Sequence, residues 1–485
     1  MRPLSEIAAS LLRRGSRKSG GESADVAASR STAGRWLKPP RRRISAKDRQ
    51  RLIGEMHDCV EGRGGEATSL ARAASLREIY GELSRAGKHQ FLDLIAGELA
   101  PDSESLAELA QAMLNSNGDD RRQAEEALRQ ALEAPWLQLL RCFNRLPDGT
   151  RFLVNLRADL LRFESRDSAL VPLERDLKHL LQMWFDVGFL DLRRVTWDSS
   201  ASLLERLARS EAVHTVEGWD DLKNRLDVDR RFFAFFHPRL PDDPLIFLEV
   251  ALTRGMPREI SEVLDQRALT VRPGDADTAV FYSISNVERG LAGIPFGGFL
   301  IRRVVDQLLS ELPRLRHFAT ISPIPGFRGW LEEQPSETML HEQERSELEP
   351  VFATFAVDSL IDLLDADWTS RSDAIAAMKN PLMRLCATYL LRGRAADNEP
   401  RADPVLAFHL TNGARLDQIS WLADRSARGM AQSAGMMAHY VYELGHIESN
   451  HEAFAREREI LATDSVKRLA RGRRRRRRAR EVSNS

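Results

Sequence analysis

From Ser45 to about Leu180, apolar residues recur every three or four positions, the spacing that gathers them on one face of a helix. Leu52, Ile53, Met56, Cys59 and Val60 form the first stripe, with Ser45 placed to cap it and Gly62, Gly64 and Gly65 placed to stop it. Further amphipathic stretches run from Phe91 to Leu99, from Leu106 to Met113 behind a Ser105–Glu108 capping pair, and from Ala124 to Leu132. Three more run from Trp136 to Phe143, Phe152 to Phe163 and Leu173 to Phe185. The pattern predicts an all-α bundle of antiparallel helices over residues 45–183 whose leucines and methionines are core. No catalytic constellation stands out in it. Gly81 to Gly87-Lys88 fails as a phosphate loop, because it has five intervening residues and His89 follows the lysine.

After Trp184 the pattern shortens into strand-like runs. Val195-Thr-Trp and a helix near Leu203–Ala208 lead to strands at Phe232–Phe236 and Leu245–Leu252, read as an antiparallel hairpin punctuated by Asp242, Asp243 and Pro244. A helix from Pro257 to Leu264 and a loop at Arg272–Asp275 precede a strand from Ala279 to Ile284. A loop carrying Gly290, Gly293, Gly297 and Gly298 follows, then a helix with Leu300, Val304, Leu308 and Leu312 on one face. Phe318–Ile321 delivers Ser322 into Ser-Pro-Ile-Pro-Gly-Phe, where two prolines fix φ and hold the serine at a rigid strand end.

Residues 331–400 read as a helical insertion, clearest at Asp358–Leu364 and Ala374–Tyr389, with Asn380-Pro381 expected to break the second helix. Past a polar loop, Pro404–Leu410 is expected to be a strand ending in His409-Leu-Thr-Asn-Gly. The fold class is therefore α+β: a helical bundle, then a mixed α/β domain over residues 184–465 with a helical insertion.

Composition narrows the setting. With 42% hydrophobic and 29% charged residues the chain is that of a soluble globular protein. No apolar run approaches the roughly 18 residues of a membrane span. Cys59, Cys142 and Cys386 are dispersed among apolar neighbours, which points to a reducing, cytoplasmic setting and not to a disulfide framework. Nothing in the sequence around them would depress a thiol pKa, so no redox switch is expected.

The formal charge is zero, yet both ends are basic: residues 1–50 hold 13 Lys or Arg against 4 Asp or Glu. Residues 1–44 read as a disordered basic leader, with Glu6, Glu22 and Asp25 arguing against a mitochondrial presequence. Residues 466–485 form an arginine-rich tail expected to stay solvated and to touch nucleic acid only weakly and nonspecifically. The terminal Ser483-Asn484-Ser485 is not a peroxisomal Ser-Lys-Leu address.

Candidate chemistry gathers in the second half. Glycines just before a helix N-terminus suit a phosphate, since unpaired N–H groups face outward and no side chain blocks approach, although any α/β turn can carry them. Gly290-Leu-Ala-Gly293 lacks the spacing of a dinucleotide fingerprint. His409, taken alone, reads as a structural histidine or as a proton carrier. His439, His446 and His451 are spaced by seven and five, which does not put three imidazoles on one helical face, so no metal site is expected. No Gly-x-Ser-x-Gly elbow occurs.

The segments FYSIS, GLAGIPFGGFLIRRVV, SPIPGF, NPLMRLC, FHLTNGA, WLADRSARG and AHYVYEL, in this order, resemble the malonyl-CoA decarboxylase family. The resemblance covers Trp184–Tyr442 best. It implies a GNAT-like, acetyltransferase-type catalytic domain that turns malonyl-CoA into acetyl-CoA and CO2 without cofactor, metal or biotin. By resemblance Ser322 matches the family's proton acceptor, His409 its proton donor and Tyr442 a tyrosine close to them. Ala292, Gly293, Ile294, Pro295, Phe296, Gly297 and Gly298 match the malonyl-CoA-binding loop, which works with Ser322 and His409. The helical domain would make the contacts of a homo-oligomer, a tetramer. The rival readings are a GNAT-like acyltransferase or acyl-CoA hydrolase, and a non-catalytic coenzyme-A-binding scaffold with a polyanion-binding tail.

Overall fold

In the computed structural model, residues 43–163, 167–185, 187–268, 270–294, 299–392 and 402–471 are described. The basic leader up to residue 42, the arginines beyond 471 and loop residues Pro295–Gly298 lie outside them. The chain divides into a unit running up to Trp184 that also takes Glu288–Ile294, and a second unit of Phe185–Val287 and the residues from Pro295 onward.

The first unit is built from α1 (Ala46–Val60), α2 (Glu66–Glu82), α3 (Arg85–Glu98), α4 (Ser103–Asn115), α5 (Gly118–Leu132), α6 (Trp136–Asn144), α7 (Gly149–Phe163) and α8 (Val171–Trp184). Ser45 caps α1 by accepting from the Asp48 N–H. The cap of α4 is Asp102, not the Ser105 pair, and it starts the helix earlier. Helix α2 escaped the sequence pattern because much of its inward face is small: Ser69 and Ala73 are buried beside Leu76 and Tyr80. Tyr80 packs edge-on against Phe91 and Phe152 at 5.2 and 5.6 Å and donates to the buried Asp159. Helices α4 and α5 bury no side chain, and Leu114 and Leu132 stand exposed on them. The three cysteines are free and buried. Interaction with the neighbouring Cys59 draws the Cys142 thiol below its ordinary value.

The second unit is organised on a seven-stranded sheet in the order β1-β2-β3-β4-β5-β7-β6: β1 (Asp191–Val195), β2 (Arg230–His237), β3 (Leu240–Thr253), β4 (Thr278–Asn286), β5 (His317–Pro323), β6 (Arg415–Ser420) and β7 (Met437–Val441). Between β1 and β2 come α9 (Ala201–Ser210) and α10 (Trp219–Arg225); α11 (Ser261–Leu264) follows β3 and α12 (Phe299–Glu311) precedes β5. The expected hairpin turns at His237–Leu240, and Asp242–Pro244 belong to β3 itself. Helix α11 is shorter than the pattern suggested.

All neighbouring strands are antiparallel except β4 and β5, which are parallel. Their ladder runs from Thr278↔His317 to Phe281↔Thr320 and stops, while β4 continues to Asn286 against β3 and β5 continues to Pro323 against β7. Ser322 thus sits two residues beyond the last β4–β5 pair.

The insertion comprises α13 (Phe327–Glu332), α14 (Ser336–Met339), α15 (Glu342–Phe355), α16 (Leu360–Asp365) and α17 (Ser372–Arg392). Pro381 does not break α17: the helix runs through it, its buried Leu382, Leu385, Cys386, Tyr389 and Leu390 outweighing a proline cost of about 3 kcal/mol. The segment read as a strand is helix α18 (Pro404–Thr411). Asp403 caps it and Pro404 occupies its first turn, where a missing N–H costs nothing. A short run apolar on every side has no periodicity to distinguish strand from helix. Helices α19 (Ala427–Ser433), α20 (Ile447–Glu457) and α21 (Asp464–Arg471) complete the unit.

Candidate active site

Ser322 lies on β5 opposite Ala438 of β7, and Thr320, two residues before it, shares its face of the strand. The Ser322 hydroxyl donates to Thr320 Oγ1 at 2.9 Å. His409, in the last turn of α18, reaches the same point: its Nε2 is 3.0 Å from Ser322 Oγ. Its Nδ1 is 2.8 Å from the hydroxyl of Tyr442, the residue that follows β7. The imidazole stacks on Tyr440 at 4.4 Å and 24°, with the Phe408 ring edge-on. Tyr440 and Tyr442 alternate onto the same face, so one strand provides both the floor beneath the imidazole and its hydrogen-bond partner.

The site is nearly closed to solvent, with Ser322 6% and His409 4% exposed. Burial pushes His409 down to about 3, so the imidazole is neutral at physiological pH. Burial drives the hydroxyls of Tyr440 and Tyr442 well above their ordinary range, which keeps both protonated. With Ser322 donating to Thr320, the pattern assigns the imidazole proton to Nε2, directed at Ser322 Oγ, while Nδ1 accepts from Tyr442. The result is a buried chain of four polar side chains, able to hold a proton beside a serine oxygen.

Of the sequence candidates, Ser322, His409 and Tyr442 are brought together. The described part of the candidate loop, with Ala292, Gly293 and Ile294, is packed within the helical unit; Pro295, Phe296, Gly297 and Gly298 lie outside the described residues. Arg157 of α7 is 1% exposed and holds that loop by two carbonyls, Nη1 to Gly290 O at 2.6 Å and Nη2 to Ala292 O at 2.9 Å. Glu174 of α8 pairs with the same guanidinium at 2.8 Å. Gly290 is pressed so closely on α7 that a Cβ there would lie 1.9 Å from the Val154 carbonyl oxygen. Gly293 takes φ +69°, and a Cβ there would meet the Lys178 ammonium at 3.4 Å.

Sequence reasoning missed Thr320 and Tyr440, although each is two residues from a chosen residue and so shares its face. It also missed Arg157, for which no local signal existed. Among the described residues, His89, Asp93 and Asp167 form a group with metal-ligand chemistry, but the two imidazole nitrogens already face the two carboxylates at 2.8 and 3.4 Å. That arrangement is a histidine held between two carboxylates on the helical unit. No helix among the described residues is long and apolar enough to cross a membrane.

Residues 188–480 match the malonyl-CoA decarboxylase C-terminal domain and residues 99–185 its N-terminal domain. The chain is 36% identical over 420 residues to the mitochondrial malonyl-CoA decarboxylase of Anser anser anser, covering 81% of this chain and 82% of that one. The crystal structure of malonyl-CoA decarboxylase from Rhodopseudomonas palustris is similar at a TM-score of 0.78 and 40% identity, over 86% of this chain and 99% of that one. The structure of the Agrobacterium vitis enzyme gives 0.77 and 38%, over 87% and 99%. A helical unit followed along the chain by a mixed-sheet unit, with sequence similarity along both, leads to one conclusion: this chain belongs to the malonyl-CoA decarboxylase family.

Proposed function

We propose that the protein decarboxylates malonyl-CoA to acetyl-CoA and CO2, with Ser322 and His409 as the working pair and Tyr442 behind them. The observation that carries this reading is the buried chain Thr320–Ser322–His409–Tyr442, placed where β4 and β5 part.

Loss of CO2 leaves the bonding electron pair on the thioester as an enolate, and stabilising that charge sets the barrier. The thioester carbonyl is itself the electron sink, so the reaction draws on no metal or biotin. A serine hydroxyl and a neutral imidazole N–H, fixed in a site of low dielectric, are donors suited to the substrate carboxylate and then to the enolate oxygen. One proton passes from this pair to the carbon and a solvent proton restores it, so the net reaction consumes one H+. The loop Ala292–Gly298 holds the coenzyme on this reading; it joins β4 to α12 along the chain, and bare glycines favour close approach of a phosphate.

The same reading makes the protein a homo-oligomer, a tetramer, and the exposed Leu114 and Leu132 on α4 and α5 suit a contact between copies. It is placed in the cytoplasm, where the three buried free thiols would stay reduced. Purified protein with malonyl-CoA tests the proposal. Equimolar CO2 and acetyl-CoA support it; free coenzyme A with malonate would mean thioester hydrolysis instead.

A further inference from the structure

Asp403 is 2% exposed and all of its acceptor capacity is committed. Its Oδ1 accepts from the Val405 and Leu406 N–H groups at 2.9 and 3.2 Å, the first turn of the helix that carries His409. Its Oδ2 accepts from the Tyr389 hydroxyl of α17 at 2.9 Å and from the Gly326 N–H at 3.3 Å. Burial and the neighbouring carboxylate keep the Tyr389 hydroxyl protonated, so it remains a donor. Gly326 is the fourth residue after Ser322, and Pro323 and Pro325 stiffen the chain between them. A Cβ at Gly326 would lie 2.1 Å from the Tyr389 oxygen, so the bond to Asp403 needs glycine there.

A helix cap accounts for Oδ1 alone. It does not require burial, nor a second oxygen bound to a loop 77 residues away. We propose that Asp403 is a positioning residue for the Ser322–His409 pair: one carboxylate fixes both the chain leaving Ser322 and the helix carrying His409, and Tyr389 orients that carboxylate. The proposal rests on reading the pair as the reacting groups. Their 3.0 Å separation is then set from beyond the pair, by a residue hydrogen-bonded to neither.

Asp403→Asn and Tyr389→Phe test it. Asparagine caps a helix about as well as aspartate, but whichever way its amide turns it sets a donor against a backbone N–H. Misplacement by a fraction of an ångström should lower kcat of Asp403→Asn by about tenfold or more, with KM for malonyl-CoA within about twofold. Tyr389→Phe should show a smaller loss of the same kind. In a Ser322→Ala background Asp403→Asn should cost little more, because its effect passes through the missing hydroxyl. Imidazole 15N resonances of His409 should shift in Asp403→Asn while those of His439 stay. Unchanged kcat with unchanged His409 resonances overturns the proposal, as does an equal loss in the Ser322→Ala background. The resonances decide positioning even if wild-type protein leaves malonyl-CoA untouched, a result that would count against the proposed activity alone.

Discussion

Ser322 Oγ and His409 Nε2 meet at 3.0 Å although 87 residues separate them. One comes from a strand that has just parted from its parallel neighbour, the other from a helix that begins at a buried carboxylate. Neither partner in this contact is charged: the imidazole, held down to about 3 by burial, is neutral at physiological pH.

That neutrality has a signature in pH. In free enzyme His409 takes a proton only as pH falls toward 3, so kcat/KM should show no acid limb near the ordinary histidine value of 6.5. A profile of kcat/KM between pH 5 and 8 checks this, with Ser322→Ala as control. A limb near 6.5 that disappears with His409→Gln would contradict the assignment.

Tyr442→Phe removes the donor to Nδ1 and leaves the ring stacked on Tyr440. The imidazole is then free to move its proton to Nδ1, turning an acceptor toward Ser322. Turnover should drop by about tenfold to a hundredfold with little change in KM, within the range general acid–base assistance supplies. Steady-state kinetics beside 15N shifts of the ring would report both parts of the effect.

The loop clamp predicts a loss of stability in the helical unit. Arg157→Met leaves Glu174 buried without its cation and frees two loop carbonyls, so unfolding free energy should fall by about 3–5 kcal/mol. Gly290→Ala drives a methyl into the Val154 carbonyl and should also destabilise, by about 1–3 kcal/mol. Urea unfolding followed on the helical signal measures both. Under the proposed function, surviving protein should also bind malonyl-CoA more weakly.

Acid should weaken the fold through histidines that stay neutral within it. His439, 1% exposed with Nε2 2.7 Å from Ser420 Oγ, is pushed down to about 4 by burial. The unfolded chain binds a proton there below about pH 6.5. The native state declines that proton until about pH 4. Stability is therefore full above 6.5 and lost as pH falls from 6.5 toward 4. Between pH 7 and 5 this histidine should account for about 2 kcal/mol of the loss. His439→Gln should flatten the urea midpoint against pH by that amount.

Much of the fold was legible because long amphipathic helices and β-branched runs announce themselves. Helices α1 and α3–α8 and strands β2–β5 fall where the spacing put them. The failures share a cause: short or compositionally flat segments have no period. Helix α2 hid behind small residues, α18 was apolar on every side, and α17 kept a proline that tertiary packing could hold.

Of the site, the serine beside two prolines and the histidine before Thr-Asn-Gly were visible as residue types, and the family resemblance supplied their partnership. Arg157 and Asp403 were not visible. Their partners are backbone groups 133 and 77 residues away, a relationship that only the folded chain creates.

The most direct test of the proposed role of Ser322 and His409 is single-turnover decarboxylation of malonyl-CoA by wild type, Ser322→Ala and His409→Gln. CO2 and acetyl-CoA should be quantified together and coenzyme affinity measured separately. The expected result is stoichiometric CO2 and acetyl-CoA from wild type, and rates at least about a hundredfold lower in each variant with affinity nearly intact. Wild-type rates in both variants would contradict it.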